Sequence, residues 1–285
     1  MKKDFVKKKL KIGFLIDRKN CAYNVYNLIK IVSENSDIFE TILIIDNTDS
    51  VKNNTKTQSK ISKEKKNYLS QIIEFLIIKL ETKIFESMDF RGSNTYKDVD
   101  SLNLKYHKIN CQISKSHIYK DFDKTIKDIT SLDLDFIIRC GSGILRGKIL
   151  TSTKFGILSS HHGDNRVMRG GPSGFWEVYK KYKTSGFVIQ RINEKLDGGD
   201  VLMRRNFNTK ELWLLNKKQL QIQCNIAWLE LLKDINKKNS LPKFEKPFDY
   251  YGKINKFPKT WILLNYFLRF TLIKFIKFKV INLLS

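Results

Sequence analysis

Along this chain short, dense apolar runs alternate with stretches whose apolar residues recur at helical spacing. KIGFLID (11–17) and FETILIID (39–46) are runs of the length and composition of buried strands, with turn residues beyond them. Between them, residues 22–35 place Val25, Leu28, Ile29 and Val32 on one side of a helix. Strand, helix and strand at this spacing make a βαβ unit, which predicts a parallel sheet. A second helix is predicted from about Tyr68 to Phe85. Further strands are expected over DLDFIIRCGSGIL (133–145), which ends in a glycine-broken loop, and over FGILSSHH (155–162), SGFVIQRI (185–192) and VLMRRNF (201–207). GPSGFWEVYKKYK (171–183) reads as a helix with Pro172 in its first turn, and 211–235 as a long helix. Residues 47–66 are polar and lysine-rich and read as a mobile loop, and 88–130 have no clear pattern.

The pattern gives an α/β fold: a Rossmann-like parallel-sheet core over 1–207, with 47–130 as a loop and helix insertion, then a mostly helical, basic, apolar extension over 208–285. Composition adds a formal net charge of +24, concentrated at the two ends. Such charge suits phosphates of nucleic acid or anionic lipid, and a Lys/Asn/Ile coding bias accounts for it equally well. The four cysteines are widely spaced and form no CxxC pair, which points away from zinc and disulfides and toward a reducing, cytoplasmic setting. The lysine-rich start leads into an apolar run of only 12–16, too short for a secretory leader.

Candidate chemistry gathers between Ser159 and Asp200. SSHHGDNRVMRGGPSGFW puts His161 and His162 at the end of a strand, on a glycine-rich loop with Asp164, Asn165, Arg166, Arg169 and Gly170. The carboxyl end of a strand is where open α/β sheets bind ligands. LDGGD (196–200) forms a tight turn carrying Asp197. A histidine stabilises a developing oxyanion or moves a proton, and a carboxylate orients it. A metal would need a third convergent ligand, and adjacent histidines on a strand point to opposite faces, so no metal is expected. His107 and His117 stand alone and read as structural. Arg166 and Arg169 suit phosphate or carboxylate binding, or simple solvation.

These residues carry a resemblance. The segment from Asp133 to Arg205 resembles the catalytic core of the folate-dependent formyltransferases, closest to the sugar N-formyltransferase-like proteins. Ser159-Ser160-His161 stands at that family's Asn-x-His, Arg169-Gly170-Gly171-Pro172 at its Arg-Gly and Pro loop, and Leu196-Asp197-Gly198-Gly199 at its Leu-Asp-x-Gly turn. The resemblance implies transfer of a formyl group from 10-formyltetrahydrofolate to a primary amine, without metal. By it His161, Asp197 and Ser159 are catalytic, and Ser142, Gly143, Ile144, Leu145, Glu194 and Leu196 line the folate pocket through main-chain contacts. His162, Asp164, Asn165, Arg169 and Gly170 are assigned to the acceptor. The departure is Ser159, where the family carries asparagine; a hydroxyl donates from a different distance, and one lost oxyanion donor costs ~3 kcal/mol.

The acceptor implied is an amino sugar, nucleotide- or lipid-linked, of surface polysaccharide biosynthesis. The tRNA-directed members carry a C-terminal β-barrel, whereas the residues after Arg205 open with a helix and lack barrel signals, which argues against nucleic acid as partner. A methionyl-tRNA formyltransferase-like enzyme, a formyltetrahydrofolate hydrolase and a catalytically degenerate sugar- or membrane-binding protein are the competing readings. The tail over 259–285 interleaves aromatic and aliphatic residues with Arg269, Lys274, Lys277 and Lys279. No window is long and charge-free enough to span a bilayer, and the polar residues do not gather on one face at helical spacing. Packing on the core, a homodimer contact and a peripheral contact with the inner face of the membrane are its three readings.

Overall fold

The computed structural model describes residues 9–46, 68–85, 95–114, 119–194, 199–246 and 254–284. The stretch read as a mobile loop, His117 and most of the LDGGD turn lie outside the described residues.

Seven strands form the central sheet: β1 (Leu10–Ile16), β2 (Phe39–Asp46), β3 (Tyr106–Ile109), β4 (Phe136–Arg139), β5 (Ile157–His161), β6 (Thr184–Arg191) and β7 (Asp200–Asn208). Their order is β7-β6-β5-β4-β1-β2-β3. The five strands from β5 to β3 are parallel, and β6 and β7 continue antiparallel. The sheet reverses direction of growth at β1, the topological switch point where such folds bind ligands.

The strands read as unbroken apolar runs because both faces are covered. Even positions of β1, Ile12, Phe14 and Ile16, face one core with α1 (Tyr23–Ser33) and α3 (Trp213–Lys238). Leu28, Ile29 and Val32 of α1 and Leu220, Trp228 and Leu231 of α3 complete that core. Leu15, Ile44, Ile137 and Ile157 face the opposite core with Phe122, Ile129, Leu145 and Ile149. Each of these large side chains contributes about 1.5–3 kcal/mol by leaving water. The helix at 213–238 is thus an integral layer of the sheet domain.

A third core joins α2 (Tyr68–Phe85) to the C-terminal helix, which runs as α4 (Thr260–Tyr266), a π-helical stretch (Phe267–Leu272) and α5 (Ile273–Leu284). Glu81 and Tyr266 cap α3 from outside it. The first residue of α3 has no capping side chain before it; instead the Trp213 N–H donates to Tyr266 Oη at 2.6 Å and the Leu214 N–H to Glu81 Oε2 at 2.9 Å. Tyr266 and Thr271 hydroxyls both donate to Glu81 Oε1 at 2.8 Å.

Four expectations change. The 133–145 stretch gives a strand over Phe136–Arg139 and the glycine-broken loop expected after it, but Ile144–Arg146 then forms a further strand that pairs with Tyr119–Asp121 in a separate sheet. The helix expected from 171 is only Phe175–Tyr179, because Gly174 takes φ +77° in front of it and leaves Pro172 outside. The unpatterned 88–130 stretch supplies an edge strand, β3, and the Tyr119–Asp121 strand. The tail, whose charges looked scattered at a uniform 3.6-residue period, is a packed helix whose period changes within it.

Candidate active site

β5 delivers Ser159 and His161 to one face of the sheet, and Ser160 and His162 to the other. Register fixes this: Ser159 lies opposite Arg139 of β4 and Gln190 of β6, and His161 opposite Val188. On the far face His162 is half-buried, beside Lys217 of α3. Burial, with His161 and Lys217 nearby, pushes its pKa down to about 4, so it is held neutral. The two adjacent histidines therefore do not converge. Among the described residues no group of three or more His, Cys, Asp or Glu is placed to hold a metal.

Along the face of Ser159 the carboxyl ends of β4, β1 and β2 carry Arg139, Asp17 and Asp46. Lys120 Nζ bridges Asp17 Oδ1 at 2.9 Å and Asp46 Oδ2 at 2.8 Å. Arg139 Nη1 lies 3.5 Å from Asp17 Oδ1. Asp46, Lys120 and Arg139 are all buried. Burial works to raise the Asp17 pKa, but Arg139, Lys120 and the Ser142 N–H more than offset it and hold the carboxylate ionised. Lys120, bonded to both carboxylates, is held charged against its own burial. The four charges cancel, as buried ions must.

This cluster positions the loop assigned to folate. Asp17 Oδ2 accepts the Ser142 N–H at 2.6 Å, and Arg139 Nη2 donates to the Ser142 carbonyl. Both peptide groups of Ser142 are thereby committed, so the exposed backbone of this loop centres on Gly143, while the Leu145 side chain enters the core. Glu194 is exposed beyond β6. Asp197 and Leu196 lie outside the described residues. The chain returns at Gly199, where a Cβ would stand 3.1 Å from Gln190 Cδ, beside the register partner of Ser159.

The loop after β5 is built around His161. A Cβ on Gly163 would sit 3.1 Å from His161 Nε2 and 2.8 Å from the Met168 carbonyl, so only glycine lets the loop close against the ring. Asp164 is buried and takes Arg166 in a fork, Nε to Oδ1 at 3.1 Å and Nη2 to Oδ2 at 2.8 Å. It also accepts from Arg204 and Asn206 of β7. Asn165 Oδ1 accepts from Arg204 at 2.9 Å, and Arg204 reaches on to Glu245 at 2.8 Å. Asp164 and Asn165 thus staple the loop to β7. Arg169–Gly170 pairs with Ile254–Asn255, and Gly170, at φ +81°, leaves no room for a Cβ against the Asn255 carbonyl.

A cavity of about 320 Å³ opens at the carboxyl ends of β1 and β4, lined by Asp17, Arg18, Cys21, Tyr96, Gly141 and Ser142 among others. It sits at the switch point of the sheet. Sequence reasoning missed Asp17, Asp46, Lys120 and Arg139. The first, second and fourth carry a readable signal, a charged residue closing a buried apolar strand at its ligand-binding end.

An open α/β sheet with a histidine at a strand terminus, a glycine-closed loop and a cavity at the switch point is the arrangement in which such folds bind small ligands. Known proteins narrow the class. No family model matches the chain. A methionyl-tRNA formyltransferase of Rickettsia canadensis is 34% identical over 111 residues, 39% of this chain and 36% of that protein. The chain thus matches little more than a third of the length of that relative. A glycinamide ribonucleotide transformylase from Symbiobacterium toebii superposes with a TM-score of 0.53 at 11% identity, covering 87% of this chain and 95% of that one. A 4-N formyltransferase from Francisella tularensis does so with a TM-score of 0.50 at 14% identity, covering 87% and 76%. The chain has the formyltransferase fold and is related in sequence to the folate-dependent formyltransferases over about two fifths of its length.

Proposed function

We propose that this protein is an N-formyltransferase that moves the formyl group of 10-formyltetrahydrofolate onto a primary amine of an amino sugar, nucleotide- or lipid-linked. The observation that carries the reading is the placement of Ser159 and His161 on one face at the carboxyl end of β5, beside the Asp17–Arg139 clamp, in this fold. The exposed, side-chain-free backbone at Gly143 and the adjoining cavity suit a flat co-substrate and a small acceptor.

10-Formyltetrahydrofolate supplies the formyl group as co-substrate. The acceptor nitrogen attacks the formyl carbon, and negative charge gathers on the formyl oxygen. His161 stabilises that oxygen by hydrogen bonding, and the Ser159 hydroxyl is a second donor to it. Asp197 orients His161 and a water and takes up the proton that the amine loses. The bond from the formyl carbon to the donor nitrogen then breaks, and that nitrogen gains a proton, so one proton moves and none is consumed.

The fold likeness to the Francisella tularensis 4-N formyltransferase and the modest cavity support a small-molecule acceptor. The sequence likeness to methionyl-tRNA formyltransferases favours the charged tRNA as the second reading. Incubating the purified protein and 10-formyltetrahydrofolate with a panel of amino-sugar nucleotides, and separately with methionyl-tRNA, decides between them by which acceptor gains a formyl group in mass spectrometry. Formate release with no acceptor present would point instead to hydrolysis.

A further inference from the structure

We propose that the C-terminal helix docks this protein on an anionic lipid bilayer, lying along its surface through one continuous apolar stripe. The stripe is Trp261, Leu264, Leu268, Ile273, Ile276 and Val280, each between 43% and 62% exposed. Their spacing is three, four, five, three and four. Steps of three and four keep residues on one face of an α-helix, and a step of five does not. Here the five-residue step from Leu268 to Ile273 falls in the π-helical stretch Phe267–Leu272. In a π turn the backbone bonds span five residues, so residues five apart stack. The π turn brings the two apolar halves into line, which a uniform period hides.

The orientation of the helix is fixed from behind. Tyr266 and Thr271 are buried and bonded to Glu81, and Lys274 pairs with Glu211. Ser70 of α2 meets Thr260 at 2.5 Å, so α2 runs parallel beside it. At that end α2 also exposes Tyr68, Leu69, Ile72 and Phe75.

Charge selects the occupant. From residue 251 onward the sequence holds seven Lys and Arg, and no acid follows Asp249. Arg269, Lys277 and Lys279 are exposed on the same helix as the stripe. An apolar stripe with a tryptophan and with long cationic side chains on the same helix is the profile of an interfacial helix, its stems along the acyl boundary and its charges at the headgroups. Symmetric pairing with a second copy would set these cations against their own counterparts. No helix among the described residues is long and apolar enough to cross a membrane, so the contact is along the surface.

Flotation of the full chain with vesicles of phosphatidylglycerol and phosphatidylcholine, beside vesicles of phosphatidylcholine alone, tests this. The protein should float with the anionic vesicles only, with a blue shift of Trp261 emission, and should be released as added salt shortens the Debye length from about 10 Å to about 3 Å. Leu264→Asp should weaken partition by about tenfold or more. Lys277→Glu with Lys279→Glu should weaken it by at least about 25-fold, about fivefold for each lysine lost. All these side chains are exposed, so unchanged circular dichroism is expected. No flotation with anionic vesicles overturns the proposal. So does a dimer that Leu264→Asp turns into a monomer while vesicle partition stays unchanged, which would assign the face to a second copy.

Discussion

Asp17 and Arg139 grip one peptide from two sides: the carboxylate accepts the Ser142 N–H at 2.6 Å and the guanidinium donates to the Ser142 carbonyl. The ends of two strands, β1 and β4, thereby fix the loop that follows β4 to the sheet. Neither side chain needs to touch a reacting atom to govern where that loop presents Gly143.

Disturbing the charges beneath the loop should cost stability and folate affinity together. Lys120→Met leaves Asp46 and Asp17 without their shared cation, and Asp46 is only 3% exposed. The expected loss is about 3–5 kcal/mol in urea unfolding at neutral pH. Asp17 has its folded pKa depressed, so its contribution is present above the unfolded value and disappears as pH falls through the folded one. Acid unfolding of the wild type should therefore steepen below about pH 4, and the Lys120→Met variant should show less of that slope.

Glu81 gives the opposite pH dependence. Burial pushes its pKa up to about 7, against the bonds from Leu214, Thr271 and Tyr266. A raised folded pKa means stability fully present below about pH 4.5 and lost progressively as pH rises toward 7. Glu81→Gln should remove that loss, about 3 kcal/mol in scale, so the two stability curves measured from pH 5 to pH 8 should diverge as pH rises. Parallel curves would show that the carboxyl stays ionised throughout.

Gly163→Ala tests how the loop positions His161. The new methyl would meet the Met168 carbonyl at 2.8 Å and His161 Nε2 at 3.1 Å. The loop must shift and the ring with it, so Tm should fall by a few degrees, and kcat of the folded variant should fall by about tenfold or more, since a displacement of about 1 Å at a reacting group is costly. Gly170→Ala should lower stability by about 1–3 kcal/mol, because both φ and the Asn255 carbonyl forbid the Cβ.

Much of the sheet was legible because its strands are buried on both faces. FETILIID and the helix from Tyr68 to Phe85 fall where the pattern puts them. In the 133–145 run the strand and its glycine-broken loop were legible, but not the short strand Ile144–Arg146, whose partner Tyr119–Asp121 stands in the stretch without periodicity. The opposed directions of His161 and His162 followed from strand alternation alone. The Lys120 bridge did not, since it joins residues 103 and 74 positions apart and stands in a stretch without periodicity. The stripe on the tail was hidden by a period that changes within one helix.

The central claim rests on His161 as the group that stabilises the formyl oxygen. Single-turnover formyl transfer from 10-formyltetrahydrofolate to the acceptor identified by the panel, comparing wild type with His161→Ala, tests it most directly. The account predicts formylated product from the wild type and a rate lower by about 10²–10³ in the variant, with folate binding and the unfolding midpoint preserved. Wild-type turnover in His161→Ala would contradict it.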